Sequence, residues 1–346
     1  MTLAELLAQA VERGASDLHL GVGLPPILRV DGVLTPLEGR EPLEPSHTES
    51  LLRPILAPAW AKKLEELGEV DFAYSLSGIG RFRVNAFKQR GSLGAAIRVI
   101  PREIPSWQSL GLPPAIQGLV RRQQGLIVVT GSAGSGKSTT LAAMIDLINE
   151  ERRCHIITLE DPIEYLHRHK KSIINQREVG LDTSSFAAGL RAALRQDPDV
   201  ILLGEMRDLE TTSTALAAAE TGHLVMTTLH TNTAVQAIER IIDIFPPYQQ
   251  GQIRVQVAST LQAVLCQQLL PRRAGRGRVA AFEVLLVTPA VRMLIREGRT
   301  HQILSQMQMG AREGMQTFEQ AYLDLLQRGL VSAEVVAEVA ATTLNR

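Results

Sequence analysis

A glycine-rich segment near the middle of the chain has the residue types and spacing that hold phosphate groups. Gly131–Ser138 reads GSAGSGKS, which fits the pattern GxxxxGK[ST] in full. In such a loop the backbone N–H groups point at phosphates, the lysine reaches the β- and γ-phosphates, and the serine hydroxyl ligates Mg²⁺. We therefore predict that Lys137 contacts the phosphates of ATP and that Ser138 is a Mg²⁺ ligand. The residues expected to bind the nucleotide are Gly131, Ser132, Ala133, Gly134, Ser135, Gly136, Lys137, Ser138 and Thr139.

The segments on either side supply the strand and the helix that a phosphate loop requires. The apolar run LIVVT precedes the glycines, and TTLAAMIDLINE, which has the composition of a helix, follows them. The alternative is a glycine-rich turn with a chance lysine, but such a turn does not require this context. The positive end of the helix dipole would add to the attraction for phosphate.

Hydrolysis also requires an acid that acts on the metal and a group that positions or deprotonates water. Ligands of open α/β sheets lie beyond the carboxyl ends of the strands, so acids that follow buried strands point toward the nucleotide. Glu160, Asp161 and Glu164 follow the run HIITL, and Glu205 follows VILLG. The alternative for each of them is a helix cap or a solvated loop. Asp199 begins the strand that Glu205 follows, so we assign it to packing or to a turn.

Four histidines require separate interpretations. His230 ends the run HLVMTTLH, at the carboxyl end of a predicted strand, so we expect it to contact phosphate, whereas His223 begins that run. His167 and His169 form a His-x-His pair in a polar loop without a neighbouring acid or cysteine. A transition-metal site needs more ligands than this pair offers, so we assign no such metal and interpret the pair as solvated.

Length and charge limit the class of protein. A single hydrophobic core stops growing at about 250–300 residues, so a chain of 346 residues predicts two domains. With 36 basic and 36 acidic residues the formal net charge is zero, and nothing global attracts the chain to nucleic acid or to an anionic membrane. The two cysteines, Cys154 and Cys266, lack a CxxC partner, which is typical of a reducing compartment and gives no zinc site. The N-terminus lacks a basic leader, and no run of eighteen apolar residues occurs, so we expect a cytoplasmic protein without a membrane-spanning helix.

Residues 1–100 have the pattern of an α+β domain. Two S/T-x-x-E capping boxes predict helices, namely Thr2 with Glu5 and Ser46 with Glu49. The runs ILRV and VLTPL flank Asp31-Gly32, a two-residue hairpin signal, and DFAYSL and RFRVNAF flank a second turn at residues 77–80. The strand LGAAIRVI closes the domain.

The rest of the chain has a different pattern. Four prolines in residues 101–114 disfavour helix and central strand, which predicts an interdomain linker. In residues 115–287 the apolar runs LIVVT, HIITLE, DVILLG and HLVMTTL alternate with helical stretches, which indicates a parallel sheet covered by helices. Residues 288–346 are nearly all helical in pattern.

Taken together, these motifs resemble the secretion ATPase superfamily and, within it, the PilT-type pilus retraction motors. GSAGSGKST resembles the Walker A motif of that family, ITLEDPIE its Asp box, LRQDPDVILLGEMRD its Walker B region and TGHLVMTTLHTNTA its His box. The similarity continues through RFRVNAF, CQQLLP, GRVAAFEVL, AVRMLIREG and GMQTFEQAY, so that it covers nearly the whole chain.

The resemblance implies roles for individual residues. Glu164 would polarise the attacking water, Glu205 would be the Walker B acid that acts on Mg²⁺ through its shell, and His230 would sense the γ-phosphate. It also implies a PAS-like N-terminal domain, a RecA-like ATPase domain with a helical C-terminal part, and a ring of six chains. Arg81 and Arg83, two apart on a predicted strand, share one face, and we expect them to reach the active site of a neighbouring subunit.

Absent features favour retraction within this superfamily. Pilus-extending and secretion ATPases usually carry a tetracysteine zinc motif and further N-terminal domains, neither of which occurs here. In the helix Ala290–Gly298 the apolar residues should pack inward, leaving Arg292, Arg296 and Glu297 available to a partner or to a neighbouring domain. Val291 and Met293 stand where the family usually has Ile and Asn.

The sequence thus predicts a homohexameric ATPase that drives pilus retraction and twitching motility. We expect an inner-membrane pilus platform protein as its partner, association with the inner face of the cytoplasmic membrane through that partner only, and no nucleic acid. One alternative is an ATPase of the same superfamily that drives secretion or DNA transfer. The other is a nucleotide-gated scaffold that scarcely turns over ATP.

Overall fold

The computed structural model describes most of the chain, and the residues in it form two compact units. The described ranges are 2–30, 32–101, 103–273 and 277–344. The N-terminal unit is Met1–Glu103 with Glu164–Leu166, and the C-terminal unit is Ile104–Ile163 with His167–Arg346.

The N-terminal unit is built on a six-stranded sheet with the order β3-β2-β1-β6-β5-β4. Every neighbouring pair in it is antiparallel. The strands are β1 (Asp17–Leu20), β2 (Ile27–Val30), β3 (Val33–Pro36), β4 (Glu69–Leu76), β5 (Gly80–Gln89) and β6 (Ser92–Ile100). β1 lies between β2 and β6; the sequence analysis did not predict this strand, although its four residues alternate between polar and buried apolar side chains.

Both predicted hairpins are confirmed by the strand register. Val30 pairs with Val33 across the first turn, and Leu76 pairs with Gly80 across the second. Asp31, in the first turn, lies outside the described residues. Along β5, Phe82 and Val84 are fully buried, while the arginines on either side of Phe82 point away from the core. The alternation predicted for this strand is therefore correct.

Helices of the N-terminal unit are α1 (Leu3–Glu12), α2 (Pro45–Leu52) and α3 (Pro58–Leu67). α1 begins with the predicted capping box, in which the Glu5 N–H donates to Thr2 Oγ1 over 3.3 Å and the Thr2 N–H donates to Glu5 Oε2 over 3.1 Å. Buried leucines of α1, including Leu6 and Leu7, pack into the same core as Phe82.

The cap predicted for the second helix is wrong. α2 begins one residue earlier than Ser46, because Pro45 occupies the first helical position, where a missing N–H costs nothing. The N-cap is therefore Glu44, whose N–H donates to His47 Nδ1 over 3.2 Å. The Glu49 carboxylate instead accepts hydrogen bonds from Arg53, one turn further along the chain.

Most of the segment predicted as a linker belongs to the C-terminal unit. Residues 103–114 and Pro101 contain no helix or strand, and Arg102 lies outside the described residues. Leu112 is buried, and Trp107 packs against the same hydrophobic cluster of the C-terminal unit. The segment is thus anchored by apolar side chains before α4 (Ala115–Val120) begins.

The C-terminal unit contains a seven-stranded sheet with the order β13-β12-β7-β11-β10-β8-β9. Its strands are β7 (Gly125–Thr130), β8 (His155–Glu160), β9 (Ile173–Glu178), β10 (Val200–Leu203), β11 (Leu224–Thr228), β12 (Leu261–Pro271) and β13 (Arg278–Leu286). The pairs from β12 through β9 are parallel, and β13 is antiparallel to β12. Every residue of β7, β10 and β11 is buried. This confirms the prediction from their continuous apolar runs that helices cover both faces of the sheet.

The described helices that cover this sheet begin with α4 and end near the C-terminus. They are α5 (Lys137–Glu151), α6 (Phe186–Ala193), α7 (Leu209–Glu220), α8 (Ala234–Asp243), α9 (Pro247–Thr260), α10 (Pro289–Arg296), α11 (Ile303–Met309), α12 (Phe318–Gln327) and α13 (Ala333–Leu344). α10 to α13 account for the helical pattern predicted from residue 288 onward. No helix among the described residues is long and apolar enough to cross a membrane.

Because β7, β8, β10 and β11 are parallel, the segments that follow them leave the sheet at one edge. The phosphate loop follows β7, residues 161–164 follow β8, Glu205 follows β10 and His230 follows β11. The fold thus explains why sequence positions so far apart can contribute to one site.

Candidate functional site

The phosphate loop connects β7 to α5 as its sequence pattern predicts. Lys137 is the first residue of α5 and is 8% exposed. Its ammonium group donates to the backbone carbonyls of Gly131 and Ser132, both over 2.9 Å, so the cation lies over the loop rather than in solvent. Gly136, the N-cap of α5, has a left-handed backbone conformation with φ +89°, which L-amino acids with side chains rarely adopt.

A residue that the sequence analysis missed supports this loop from β12. Gln267 is 1% exposed, and its Nε2 donates to the carbonyl of Ser135 over 2.5 Å, while its Oε1 accepts from Thr140 Oγ1 over 2.8 Å. The first bond holds the loop and the second holds the first turn of α5. Gln267 lies 130 residues beyond Lys137, so no local pattern could have revealed the contact, although the motif CQQLLP contains it.

Both glycines that define the motif lie against Gln267. A Cβ atom at Gly131 would come within 2.4 Å of the Gln267 carbonyl oxygen, and one at Gly136 would come within 3.0 Å of Gln267 Nε2. A side chain at Gly131 would therefore force the backbone of β12 or the loop to move.

Glu205 and His230 lie together beyond the carboxyl ends of β10 and β11. Oε2 of Glu205 is 3.6 Å from Nε2 of His230, and Oε1 of Glu205 is 2.7 Å from Nε of Arg207. Glu205 is largely buried, with 18% of its side chain exposed, whereas 49% of the His230 side chain is exposed. The structure therefore brings these two predicted site residues into proximity.

The protonation of His230 links it to the phosphate loop. Burial lowers the pKa of His230, and the positive charge of Lys137 lowers it further, while Glu205 opposes both effects. The direction of the shift favours a neutral imidazole at neutral pH, which can accept a hydrogen bond through one nitrogen and donate through the other.

The segment that carries His230 is held by the neighbouring strand β7. The Leu229 N–H donates to the carbonyl of Val129 over 3.1 Å, and the Thr231 N–H donates to Thr130 Oγ1 over 2.9 Å. The Thr130 hydroxyl also lies 3.0 Å from the carbonyl oxygen of Thr231. These contacts fix the backbone on both sides of His230, directly beside the start of the phosphate loop.

Acids that follow β8 have different environments. Glu160, the last residue of β8, accepts hydrogen bonds from Thr158 Oγ1 over 2.6 Å and from Gln176 Nε2 over 3.1 Å, so its carboxylate is engaged within the sheet. Asp161 is exposed. Glu164 is also exposed and lies in the short stretch that groups with the N-terminal unit, so its catalytic role remains a prediction.

The remaining predicted polar groups have structural roles. Asp199 accepts a hydrogen bond from the His155 N–H over 2.8 Å at the amino end of the sheet, as its placement predicted. His223 Nδ1 lies 3.0 Å from the carbonyl oxygen of Ala218. His169 Nδ1 accepts from the N–H of a β9 residue over 3.1 Å.

His167 differs from the solvated residue that the sequence predicted. Burial lowers its pKa to about 4, and Lys170 contributes to the same effect, while Asp146 opposes it. Its imidazole is therefore neutral across the physiological pH range. The correction arises because a polar sequence such as HRHKK, residues 167–171, does not reveal which of its side chains folds back onto the protein.

Arg81 and Arg83 both have acceptors within their own unit. Arg81 Nη1 donates to Ser75 Oγ over 3.3 Å, and Arg83 Nε lies 3.6 Å from Asp71 Oδ1. The Arg83–Asp71 pair is exposed on both sides, with 44% and 56% of the side chains accessible, so it is a weak interaction that another anion can replace.

The helix α10 packs largely as predicted, with one correction. Val291, Leu294 and Ile295 are buried, and Arg296 is exposed. Arg292, however, donates from Nη1 to the carbonyls of Ala258 and Ser259 at the C-terminal end of α9, the latter over 2.9 Å. Burial lowers its pKa. Arg292 therefore caps a neighbouring helix within the chain and is not left for a partner.

Comparison with known proteins places this site in a family. The model of the family described as type II/IV secretion system protein matches residues 1–339. The type IV pilus retraction ATPase PilT of Pseudomonas aeruginosa is 46% identical over 98% of this chain and 98% of its own length. The twitching motility protein of Neisseria gonorrhoeae is 45% identical over 89% of this chain and 82% of its own length.

Solved structures agree with these relatives. A crystal structure of the pilus retraction motor PilT with bound ADP superposes with a TM-score of 0.92, at 51% identity over 98% of this chain and 96% of that one. The ATPase DotB of Legionella pneumophila superposes with a TM-score of 0.85, at 30% identity over 99% of this chain and 96% of that one. The fold, the phosphate loop and the similarity along the whole chain lead to one conclusion: this protein belongs to the type II/IV secretion system protein family and is of the PilT type within it.

Proposed function

We propose that this protein is an ATPase motor that hydrolyses ATP and uses the energy to retract type IV pili. The observation that carries the proposal is a phosphate loop whose lysine donates to the carbonyls of the loop and whose defining glycines pack against Gln267 of β12, in a chain similar over its full length to pilus retraction ATPases. Retraction would produce twitching motility, the property for which the gonococcal relative is named.

The residues of the loop suit a nucleotide and Mg²⁺. The glycines of the loop have positive φ angles, which suit a backbone that curls around phosphate. Ser138 is the second residue of α5 and follows Lys137 at the helix N-terminus, where the helix dipole favours anionic groups. Mg²⁺ would neutralise charge that develops on the phosphates during transfer. Ser138 would hold the ion directly, and the mostly buried Glu205 would act on it through its shell, possessing a carboxylate of the kind Mg²⁺ prefers.

Hydrolysis requires water to be positioned for attack in line with the leaving group. We assign this role to Glu164, whose carboxylate would orient the water and take up its proton. His230, neutral and beside Glu205, would donate a hydrogen bond to the γ-phosphate and so respond to its loss. Lys137 would hold the phosphates while the bond breaks.

The proposed working form is a ring of six chains that binds an inner-membrane pilus platform protein. Association with the cytoplasmic face of the membrane would then depend on that partner. Formal charge zero supplies no general attraction to nucleic acid or to lipid, which favours recognition of a protein.

In such a ring we propose that Arg81 and Arg83 contact the nucleotide of a neighbouring chain. Their planar guanidinium groups suit phosphate, and the ion pair between Arg83 and Asp71 is exposed, so that phosphate could replace it. Rings mixed from Arg83→Ala chains and Lys137→Ala chains, each inactive alone, should recover measurable ATPase activity, because some sites then combine an intact loop with an intact arginine. Exchange of chains would be verified with two differently labelled preparations. Verified exchange without recovery would contradict the sharing of a site.

The proposed function is tested most directly in a strain from which the gene is deleted. We expect surplus pili and the loss of surface motility, both restored by the wild-type gene and not by the Lys137→Ala gene. Normal pili with defective protein secretion or DNA transfer would support the other activity known in this superfamily instead. ATP binding without steady-state phosphate release would identify a nucleotide-gated scaffold.

A further inference from the structure

A buried carboxylate on β13 contacts the segment that carries His230, although the proposed mechanism does not use it. Glu283 is 5% exposed, and its Oε1 accepts a hydrogen bond from the Ala234 N–H over 2.7 Å. Ala234 is the first residue of α8 and lies four residues after His230. The backbone of this loop, residues 229–234, is therefore held by β7 at one end and by β13 at the other.

The same carboxylate lies close to the C-terminal helical region. The N–H of Phe318, the first residue of α12, lowers the pKa of Glu283. The residue after Glu283, Val284, exchanges two backbone hydrogen bonds with Gln316, of 2.7 Å and 3.0 Å, so the chain before α12 is held against β13 as well. One carboxylate thus binds the first N–H of α8 and lies close to the first N–H of α12, although these two helices begin 84 residues apart in sequence.

The charge of Glu283 is supported by these donors and opposed by its burial. Burial raises the pKa of Glu283, and the N–H groups of Ala234 and Phe318 counteract the rise. Both helix dipoles have their positive ends at this carboxylate, which further favours the anion. Its neighbour across the sheet, Cys266, pairs with it in the register of β12 and β13 and contributes no positive charge.

We infer that Glu283 is a positioning residue for hydrolysis: by holding the first N–H of α8 it fixes the loop that carries His230, and it ties that loop to α12. The inference rests on the proposed function. Removal of the carboxylate would free the α8 end of the loop while the β7 contacts remain, so His230 would move relative to Glu205 without loss of the phosphate loop. The deficit should therefore appear in kcat, with little change in the KM for ATP.

Glu283→Gln is the first test, because the amide loses the negative charge that strengthens the bond from the Ala234 N–H and keeps only one acceptor oxygen. We expect kcat to fall about tenfold, which corresponds to about 1.4 kcal/mol of barrier. If the residue acts through His230, the same change in a His230→Ala background should lower the residual kcat by less than about twofold. Equal fold-losses in both backgrounds would overturn the inference.

Amide hydrogen exchange is a second test of the inference, and it measures backbone protection without requiring ATP hydrolysis. Glu283→Gln should speed exchange in peptides that cover residues 229–236 and 317–321, and peptides from β7 should stay protected. Wild-type protection in both regions would overturn the inference, whereas altered exchange in a chain that hydrolyses no ATP would contradict the proposed function alone.

Two further variants separate positioning from general destabilisation. Met307→Ala removes a fully buried side chain of α11 and should lower the unfolding temperature without changing kcat at temperatures well below unfolding. Glu283→Asp keeps the charge but shortens its reach by one methylene, so it should fold and still lower kcat. A Glu283→Asp protein with wild-type kcat and wild-type exchange would also overturn the inference.

Discussion

Lys137→Ala should abolish ATP turnover and weaken nucleotide binding. The lysine is the buried cation of the phosphate loop, and its removal leaves the phosphate charge without its principal side-chain partner. We expect phosphate release to fall at least about 100-fold, which corresponds to about 2.7 kcal/mol of barrier. The measurement is steady-state phosphate release together with titration of a fluorescent ATP analogue.

Lys170→Ala is the matched control for the loss of a lysine. Lys170 lies in the same unit, and its ammonium group donates to the carboxylates of Asp146 and Glu150, both over 2.8 Å. This variant should bind and hydrolyse ATP like the wild type. Turnover at the wild-type rate by Lys137→Ala would show that the nucleotide is bound elsewhere.

Glu164→Gln should separate binding from hydrolysis. The amide keeps the shape and hydrogen bonding of the side chain but cannot accept the proton of the attacking water. ATP should therefore bind with wild-type affinity, while single-turnover hydrolysis falls by more than about tenfold, or about 1.4 kcal/mol. A smaller loss would remove Glu164 from the role of base or water-positioning residue.

Glu66→Gln provides the comparison for Glu164→Gln. Glu66 is an exposed acid of the N-terminal unit, with Lys62 its ion-pair partner over 3.8 Å, and its pairing is too exposed to matter for stability. Equal loss of hydrolysis in both variants would point to a general effect of charge rather than to a catalytic carboxylate.

Local sequence patterns predicted the fold where one continuous run of residues forms one element. The runs that became β7, β10 and β11 are continuous and apolar because both faces of the sheet are covered. The two hairpins followed from turn residues between alternating strands. The start of α2 was misplaced because a proline at the first helical position outweighed the Ser–Glu spacing.

The site was predictable where its residues follow strands of one parallel sheet. That rule placed Glu205 and His230 together, and their side chains lie 3.6 Å apart. The same rule could not identify Gln267 or Glu283. Their hydrogen-bond partners lie on other elements, and their distance in sequence from the phosphate loop follows no helix or strand period. The wrong prediction for Arg292 has the same cause. The sequence shows that this arginine lies on the polar side of α10, but it does not show the carbonyl groups of α9 to which the side chain donates.

The contact between the phosphate loop and β12 gives the glycines of the motif a structural role that does not depend on ATP binding. Gly131 and Gly136 are the two glycines by which the motif is recognised. A Cβ at Gly131 would collide with the backbone carbonyl of Gln267, and one at Gly136 would be tightly packed against the Gln267 side chain. At Gly134, which the motif does not specify, a Cβ would have nothing within 4 Å. Selection for packing against the sheet would therefore preserve both glycines even in a descendant that no longer binds ATP. In such a descendant, the presence or loss of Lys137 would indicate ATP binding more reliably than the two glycines.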